Sequence, residues 1–340
     1  MKNLKKLFSA ALALTMALSL AACSSSDDTA TTTTETTTAA QEETEATKSY
    51  KIAIVKQLDH ASMDEIANAV AAELDASDLN VTYEHFSGQN DTSVLQQIGA
   101  QLIADGYNAI IPIGTLAAQA MAVAAEDTQT PVVYGAVSDP ESAGLTGISY
   151  MTGTSDALNT EFMMDMMLAA NPNIETVGLL YSTSEVNSAV PIAQAKAYLD
   201  AAGIAYIEKT GNTNDEVIAA VNSMLDQVQA VFTPTDNVVM AVELTIGETM
   251  ADAGIAHYGG ADSFVRNGAF ATAGVNYEEL GAKSAEMALD ILTTGEVPDF
   301  HVMDGGIITV NTETAATLGL DYSVFSDMAG TVVEVVTTVD

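Results

Sequence analysis

Apolar and polar positions follow two alternating rhythms along the chain. Short β-rich runs at Lys51 to Val55 (KIAIV), Val81 to Phe86, Ala109 to Ile113 (AIIPI) and Pro131 to Tyr134 predict strands. Between them, Ser62 to Leu74 places Met63, Ile66, Ala67, Val70 and Leu74 at helical spacing, and Ser93 to Ala104 does the same with Leu95, Ile98, Leu102 and Ile103. Thr115 to Ala125 reads as an alanine-rich helix. After Ser155 the rhythm restarts. Helices are expected up to Ala169 and over Asn187 to Ala202, Asn214 to Leu225, Val238 to Ala253 and Tyr277 to Leu292. Strands are expected at Thr176 to Tyr181, Ala205 to Lys209, Ala230 to Thr233, Ile255 to Tyr258, Ala269 to Val275 and Ile307 to Val310. Strands apolar on both faces that alternate with helices belong to parallel βαβ units, so the predicted class is α/β with two doubly wound lobes.

The first residues break this rhythm. Lys2, Lys5 and Lys6 precede an apolar stretch from Leu7 to Ala22, which ends at Cys23, the sole cysteine. Basic, apolar and small residues in that order describe a secretory signal over 1–22. The stretch is shorter than the ~20 apolar residues that span a bilayer comfortably. Leu20, Ala21 and Ala22 before Cys23 resemble the lipobox of bacterial lipoproteins, so Cys23 is expected to carry lipid and to begin the mature chain. From Ser24 to Thr47 the residues are small, hydroxylated or acidic, with no aromatic or large aliphatic side chain. Such a segment cannot bury enough apolar surface to offset chain entropy, and 23–48 is read as a tether. With one cysteine there is no disulfide framework.

Charge narrows the function. The sequence holds 10 Lys plus Arg against 46 Asp plus Glu, a formal net charge of −36. That field repels nucleic acid and anionic lipid, which excludes DNA binding and polybasic membrane sensing. His60, His85, His257 and His301 show no metal-ligand spacing, and no Walker, G-x-S-x-G or G-x-G-x-x-G motif occurs. An enzyme and a cofactor are therefore not expected. Met163, Met164, Met166 and Met167 follow a helical stripe without histidine partners and are assigned to the core.

In open α/β sheets ligands bind beyond the carboxyl ends of the strands. The joins there are small and polar. Gln57, Asp59 and His60 follow strand one, Gly114 and Thr115 strand three, and Ser138, Asp139 and Pro140 strand four. The second half offers Ser182, Glu185, Asn187 and Ser188, then Thr235, Asp236 and Asn237, then Asp262 and Ser263. Thr115, Ser138, Asp139, Asn187, Asp236 and Asn237 also suit helix caps or turns. Taken together, helix N-termini would receive a carboxylate, while Glu185, Asp236 and Asp262 would receive an ammonium. Arg266 is the only arginine and few lysines fall near these joins, so a zwitterionic or neutral solute fits better than a strong anion.

At these joins the sequence resembles the ABC transporter substrate-binding family that includes tryptophan- and tyrosine-binding lipoproteins. The resemblance runs from Lys51 to Leu320 through IAIVKQLDHASMDEI (Ile52 to Ile66), GTLAAQA (Gly114 to Ala120), GAVSDPESAGL (Gly135 to Leu145), YSTSEVNS (Tyr181 to Ser188), TPTDN (Thr233 to Asn237) and GADSFVRNGAFATAGVNYEELG (Gly260 to Gly281). It implies a type I periplasmic-binding fold: two Rossmann-like lobes joined by three crossovers near Ser155, Thr272 and Gly305. The lobes are then expected at 49–154 plus 272–304 and at 155–271 plus 305–325, with 326–340 as a tail.

The same resemblance implies that Gly114, Thr115 and Ser138 hold a carboxylate and that Asp236, with Asp262, holds the ammonium. Asn187, Ser188 and Asn237 would add polar contacts, with His60, Tyr134 and Phe264 against a solute side chain. Asp139, Glu185, Thr235 and Ser263 complete the expected site. One departure is QLDH at the first join, where relatives tend to carry a glutamate before the histidine. The expected role is a monomeric, lipid-anchored, extracytoplasmic receptor that delivers an amino acid, aromatic by resemblance, to an ABC permease and its ATPase. A sensor of the same fold reporting to a membrane receptor, or a receptor for a nucleoside or sugar, is the alternative.

Overall fold

The structure, a computed structural model, describes residues 48–329 and 332–338, all within one compact unit spanning Thr47–Asp340. The expected signal segment, Cys23 and nearly all of the expected tether lie outside the described residues. Among the described residues no helix is long and apolar enough to cross a membrane.

The first half runs β1 (Ser49–Lys56), α1 (Ala61–Ala76), β2 (Asn80–Ser87), α2 (Thr92–Ala104), β3 (Ala109–Ile113), α3 (Thr115–Ala124), β4 (Val132–Tyr134) and β5 (Met151–Ser155). Next come α4 (Thr160–Ala170), β6 (Thr176–Tyr181), a 3-10 turn (Val186–Ser188), α5 (Ala189–Ala202), β7 (Ala205–Thr210), α6 (Asn214–Asn222) and β8 (Ala230–Thr233). The chain continues with α7 (Asn237–Met240), α8 (Glu243–Asp252), β9 (Ala256–Gly259), α9 (Asp262–Arg266), β10 (Ala271–Gly274) and α10 (Tyr277–Thr294). It closes with β11 (His301–Val302), β12 (Ile307–Asn311), α11 (Thr312–Leu318), α12 (Phe325–Met328) and β13 (Val332–Val335).

Two sheets result. The first has the order β11-β5-β4-β3-β1-β2 with parallel neighbours, and the second β13-β12-β10-β9-β8-β6-β7 with one antiparallel pair, β10 with β12. Helices cover both faces, so β3 and the Ile52 to Val55 segment of β1 can be apolar throughout. Ile52 and Ile54 are fully buried, each contributing about 1.5–3 kcal/mol of burial free energy. Met163, Met164, Met166 and Met167 sit in the second lobe's core with Phe232 and Phe270.

The chain passes between the sheets at 156–159, 275–276 and 303–306. Two expected boundaries therefore move. Ser155 stays in the first sheet, paired with Val302, and Thr272 belongs to the second, paired with Thr309. The last residues are not a tail either: β13 pairs in parallel with β12, and Thr338 N–H bonds Arg266 O at 2.9 Å. Strand β13 thereby extends the second sheet by one strand beyond β12 and forms its edge.

Two further differences have local causes. Strand β5 (MTGTS) has little apolar signal, yet every residue is buried between β4 and β11. Gly153 makes this possible, because a Cβ there would stand 2.1 Å from Tyr134 O. The helix expected over Val238 to Ala253 breaks into α7 and α8. Val238, Val239 and Met240 are consecutive and all buried, which one helical face cannot achieve, and the break at 241–242 re-aims the chain so that Ile246 and Met250 face the core.

Candidate functional site

The joins meet where the two lobes face each other. Gln57, just past β1, is fully buried. Its Oε1 accepts from Leu116 N–H in the first turn of α3 at 3.0 Å, and its Nε2 donates to Asn90 Oδ1 at 2.9 Å and, across the lobes, to Glu185 Oε1 at 2.7 Å. Glu185 Oε2 accepts from Asn237 Nδ2 at 2.7 Å, and Asn237 Oδ1 lies 3.1 Å from His60 Nε2. The result is a clasp in which Gln57 and His60 of one lobe hold Glu185 and Asn237 of the other. Beside it, Ser138 Oγ lies 2.8 Å from Thr235 Oγ1, and Ser62 Oγ donates to Ser263 Oγ.

Glu185 is 5 % exposed and takes only neutral donors; among the described residues no Lys or Arg pairs with it. Burial, helped by the charge of Asp236, pushes its carboxyl up to about 7. Burial also holds the His60 imidazole below its usual range. Three buried polar atoms of this region have no partner: His60 Nδ1, Thr115 Oγ1 and Asn187 Oδ1. Thr115 opens α3, which packs against the 3-10 turn carrying Asn187, so these groups come from facing elements. Gly114 caps α3 with φ 93°, a left-handed conformation that suits glycine, and a Cβ there would stand 2.8 Å from Gln57 Oε1.

Several expected roles change. Asp236, read from the sequence as an ammonium receptor, is 0 % exposed and its carboxylate is fully engaged. Oδ1 caps α7 by accepting from Val238 and Val239 N–H at 3.1 and 3.0 Å, while Oδ2 accepts from Ser182 N–H and Ser188 Oγ at 2.7 Å each. It is a structural pin, and Ser188 is one of its donors. Asp139 caps the turn at Ser142, with bonds of 2.8 and 2.7 Å.

Tyr134 and Phe264, expected against a solute, pack into the cores: Tyr134 beside Gly153, and Phe264 edge-on to His257. Asp262 pairs with Arg266 Nε at 3.0 Å on the flank of the cleft. Asn187 Nδ2 donates to Thr235 O at 2.6 Å.

Two residues outside the expected site matter. Gln57 was visible at a strand end, but a neutral amide carries no charge signal. Asp156, in the first crossing, accepts from Ser138 Oγ at 2.9 Å and from Tyr277 OH at 3.1 Å, so it ties two of the three crossings together. Burial raises its carboxyl above the usual range.

A two-lobed body with a polar, clasped cleft at its strand ends is the architecture of a solute receptor. A family model described as ABC transporter substrate binding protein matches residues 51–326. The chain belongs to that family. Its members are binding proteins, not enzymes.

This substrate-binding protein is 27% identical over 290 residues to a tyrosine-binding protein of Clostridioides difficile, covering 82% of this chain and 84% of that one. A Streptococcus pneumonia domain solved in complex with L-Trp is 26% identical, with a TM-score of 0.78 over 84% of this chain and 100% of its own. The ligand-free, open structure of a Clostridium difficile substrate binding protein with adhesive properties is 28% identical, with a TM-score of 0.64 over 85% of this chain and 100% of its own. A Bacillus halodurans solute-binding protein with bound myo-inositol, 12% identical with a TM-score of 0.64 over 81% of this chain and 99% of its own, shows the shared type I periplasmic-binding fold.

Proposed function

We propose that this substrate-binding protein captures a zwitterionic amino acid between its lobes and delivers it to the permease of an ABC importer. The observation that carries this reading is Glu185, a carboxylate buried where the lobes meet with only amide donors around it. A buried anion without a cation is costly, and a solute ammonium supplies the missing charge. The Thr115 hydroxyl at the first turn of α3 offers a donor for the solute carboxylate beside the positive end of a helix. His60 Nδ1 and Asn187 Oδ1 give polar contacts from opposite lobes. Solute binding replaces the amide donors of Gln57 and Asn237 on Glu185 with the N–H groups of the ammonium. An aromatic side chain is favoured by the tyrosine-binding relative and the L-Trp complex.

The Cys23 context supports a lipid anchor that holds the receptor on the outer face of the cytoplasmic membrane. Calorimetric titration with the common amino acids, sugars, nucleosides and dicarboxylates tests the proposal. Tyrosine or tryptophan is expected to bind, and a response confined to sugars or dicarboxylates would refute it. For the anchor, Cys23→Ser is expected to leave the membrane fraction; retention there at full yield would refute lipidation.

A further inference from the structure

A second cavity, of about 240 Å³, opens beside the hinge. Its floor is the β10–β12–β13 face, where Thr272 pairs directly with Thr309 and Thr309 with Val333. Glu65 of α1 forms one wall, Asp262 and Arg266 of α9 another, and Glu278 of α10 a third. The walls therefore come from both lobes. The Ser62–Ser263 contact joins two of the same helices, α1 and α9.

Three carboxylates here face one guanidinium, and that guanidinium is already bound to Asp262 Oδ2. Two buried acceptors are unpartnered. Asp262 Oδ1 has no hydrogen bond, and Thr272, 0 % exposed, lines the cavity with a free Oγ1. A Cβ on Gly274 would stand 3.8 Å from that Oγ1, in ordinary van der Waals contact. Burial, with the charge of Asp262 adding to it and Arg266 opposing, pushes the Glu65 carboxyl up to about 7.

We infer that this hinge-side cavity is a second ligand site, for a small primary ammonium compound held by Glu65, Asp262 and Thr272. The excess of carboxylates selects a cation. A metal ion is disfavoured because no three acidic or imidazole side chains among the described residues converge on one point. The acceptors are carboxylate and hydroxyl oxygens, which match N–H donors. A quaternary ammonium would want an aromatic cage, and the one aromatic wall, Tyr277, has its hydroxyl on Asp156. Because the walls belong to both lobes, occupancy favours the closed form and is thermodynamically coupled to the cleft.

Titration calorimetry of the full-length protein with n-butylammonium chloride, against tetramethylammonium chloride at matched ionic strength, tests this. Saturable binding of n-butylammonium alone is expected. Its affinity should fall about tenfold or more in Glu65→Gln and several-fold in the isosteric Thr272→Val, as loss of one ionic or one neutral hydrogen bond implies. It should change by less in Glu185→Gln, which alters lobe closure but none of the groups lining this cavity, than in Glu65→Gln. Equal responses to the two cations would reduce the effect to screening of an acidic surface and overturn the site. Loss in Glu185→Gln with retention in Glu65→Gln would place the amine in the central cleft and overturn it too, as would the absence of saturable heat. None of these outcomes depends on which amino acid the central cleft takes.

Discussion

The two lobes bring unlike chemistry to the same cleft. The first presents neutral groups, Gln57, His60, Thr115 and Ser138, while the second carries two buried acids, Glu185 and Asp236. The two acids differ as much as the lobes do. Asp236 is surrounded by four donors of its own lobe and pins three segments, whereas Glu185 reaches across to the other lobe with only amides for company. A carboxylate whose acceptor positions are filled within its own lobe serves the fold. One whose partners are split between lobes answers to closure and to whatever enters the cleft.

The largest effect that separates them is expected from Glu185→Gln. Amino-acid affinity should fall by about 3–5 kcal/mol, because the ammonium loses its counter-charge. The solute-free melting temperature should not fall, since a buried charge has been removed. Calorimetric titration and scanning calorimetry on one sample read both. Asp236→Ala should do the opposite in kind: the melting transition should drop, with a loss of about 2–4 kcal/mol from one helix cap and two further charge-assisted bonds. If Asp236→Ala keeps full stability and loses only binding, the assignment of the two acids is reversed.

Acidity sharpens the contrast. Below pH about 4.5 Glu185 is protonated in both the folded and the unfolded chain; its folded carboxyl is raised from 4.5 to about 7. Between those values the folded form holds more protons, so its contribution makes stability fall as pH rises, by at most a few kcal/mol, and levels off above 7. Glu65 acts in the same sense. Amino-acid affinity should rise over that window as Glu185 ionises to meet the ammonium. Chemical denaturation from pH 4.5 to 8 should show the slope, flattened in Glu185→Gln, and parallel titrations should show the opposite trend in affinity.

The smallest effect is expected on the neutral side. Gln57→Leu removes amide bonds to Asn90, Leu116 and Glu185, and closure should weaken by about 1–2 kcal/mol, seen as a several-fold loss of affinity. A larger effect there than at Glu185 would mean the first lobe, not the second, dominates recognition.

The polar joins were legible in the sequence, because strand ends mark where a parallel sheet exposes its loops. Thr235, Asn187, Ser138 and Glu185 all stood at such joins and all meet between the lobes. What could not be read was which acid caps and which faces the cleft, since Glu185 and Asp236 occupy similar positions in the chain. A local hint existed: Asp236 directly precedes a helix, the place where an aspartate satisfies free N–H groups. Tyr134 and Phe264 misled for a related reason, as an aromatic near a strand end packs inward as readily as outward.

The sequence by itself determined the α/β class, the alternation of strands and helices and the polar character of the joins, because hydrophobic periodicity and turn chemistry are local properties. It could not decide β5, β11 or β13. Strand β5 is small and polar and is buried only by its neighbours, β11 is two exposed residues, and β13 is a short edge strand held by its pairing with β12. Nor could it decide the clasp. A hydrogen bond between Gln57 and Glu185 joins residues far apart in the chain, and the shifted acidity of Glu185 follows from desolvation, which comes into being only when the lobes enclose it.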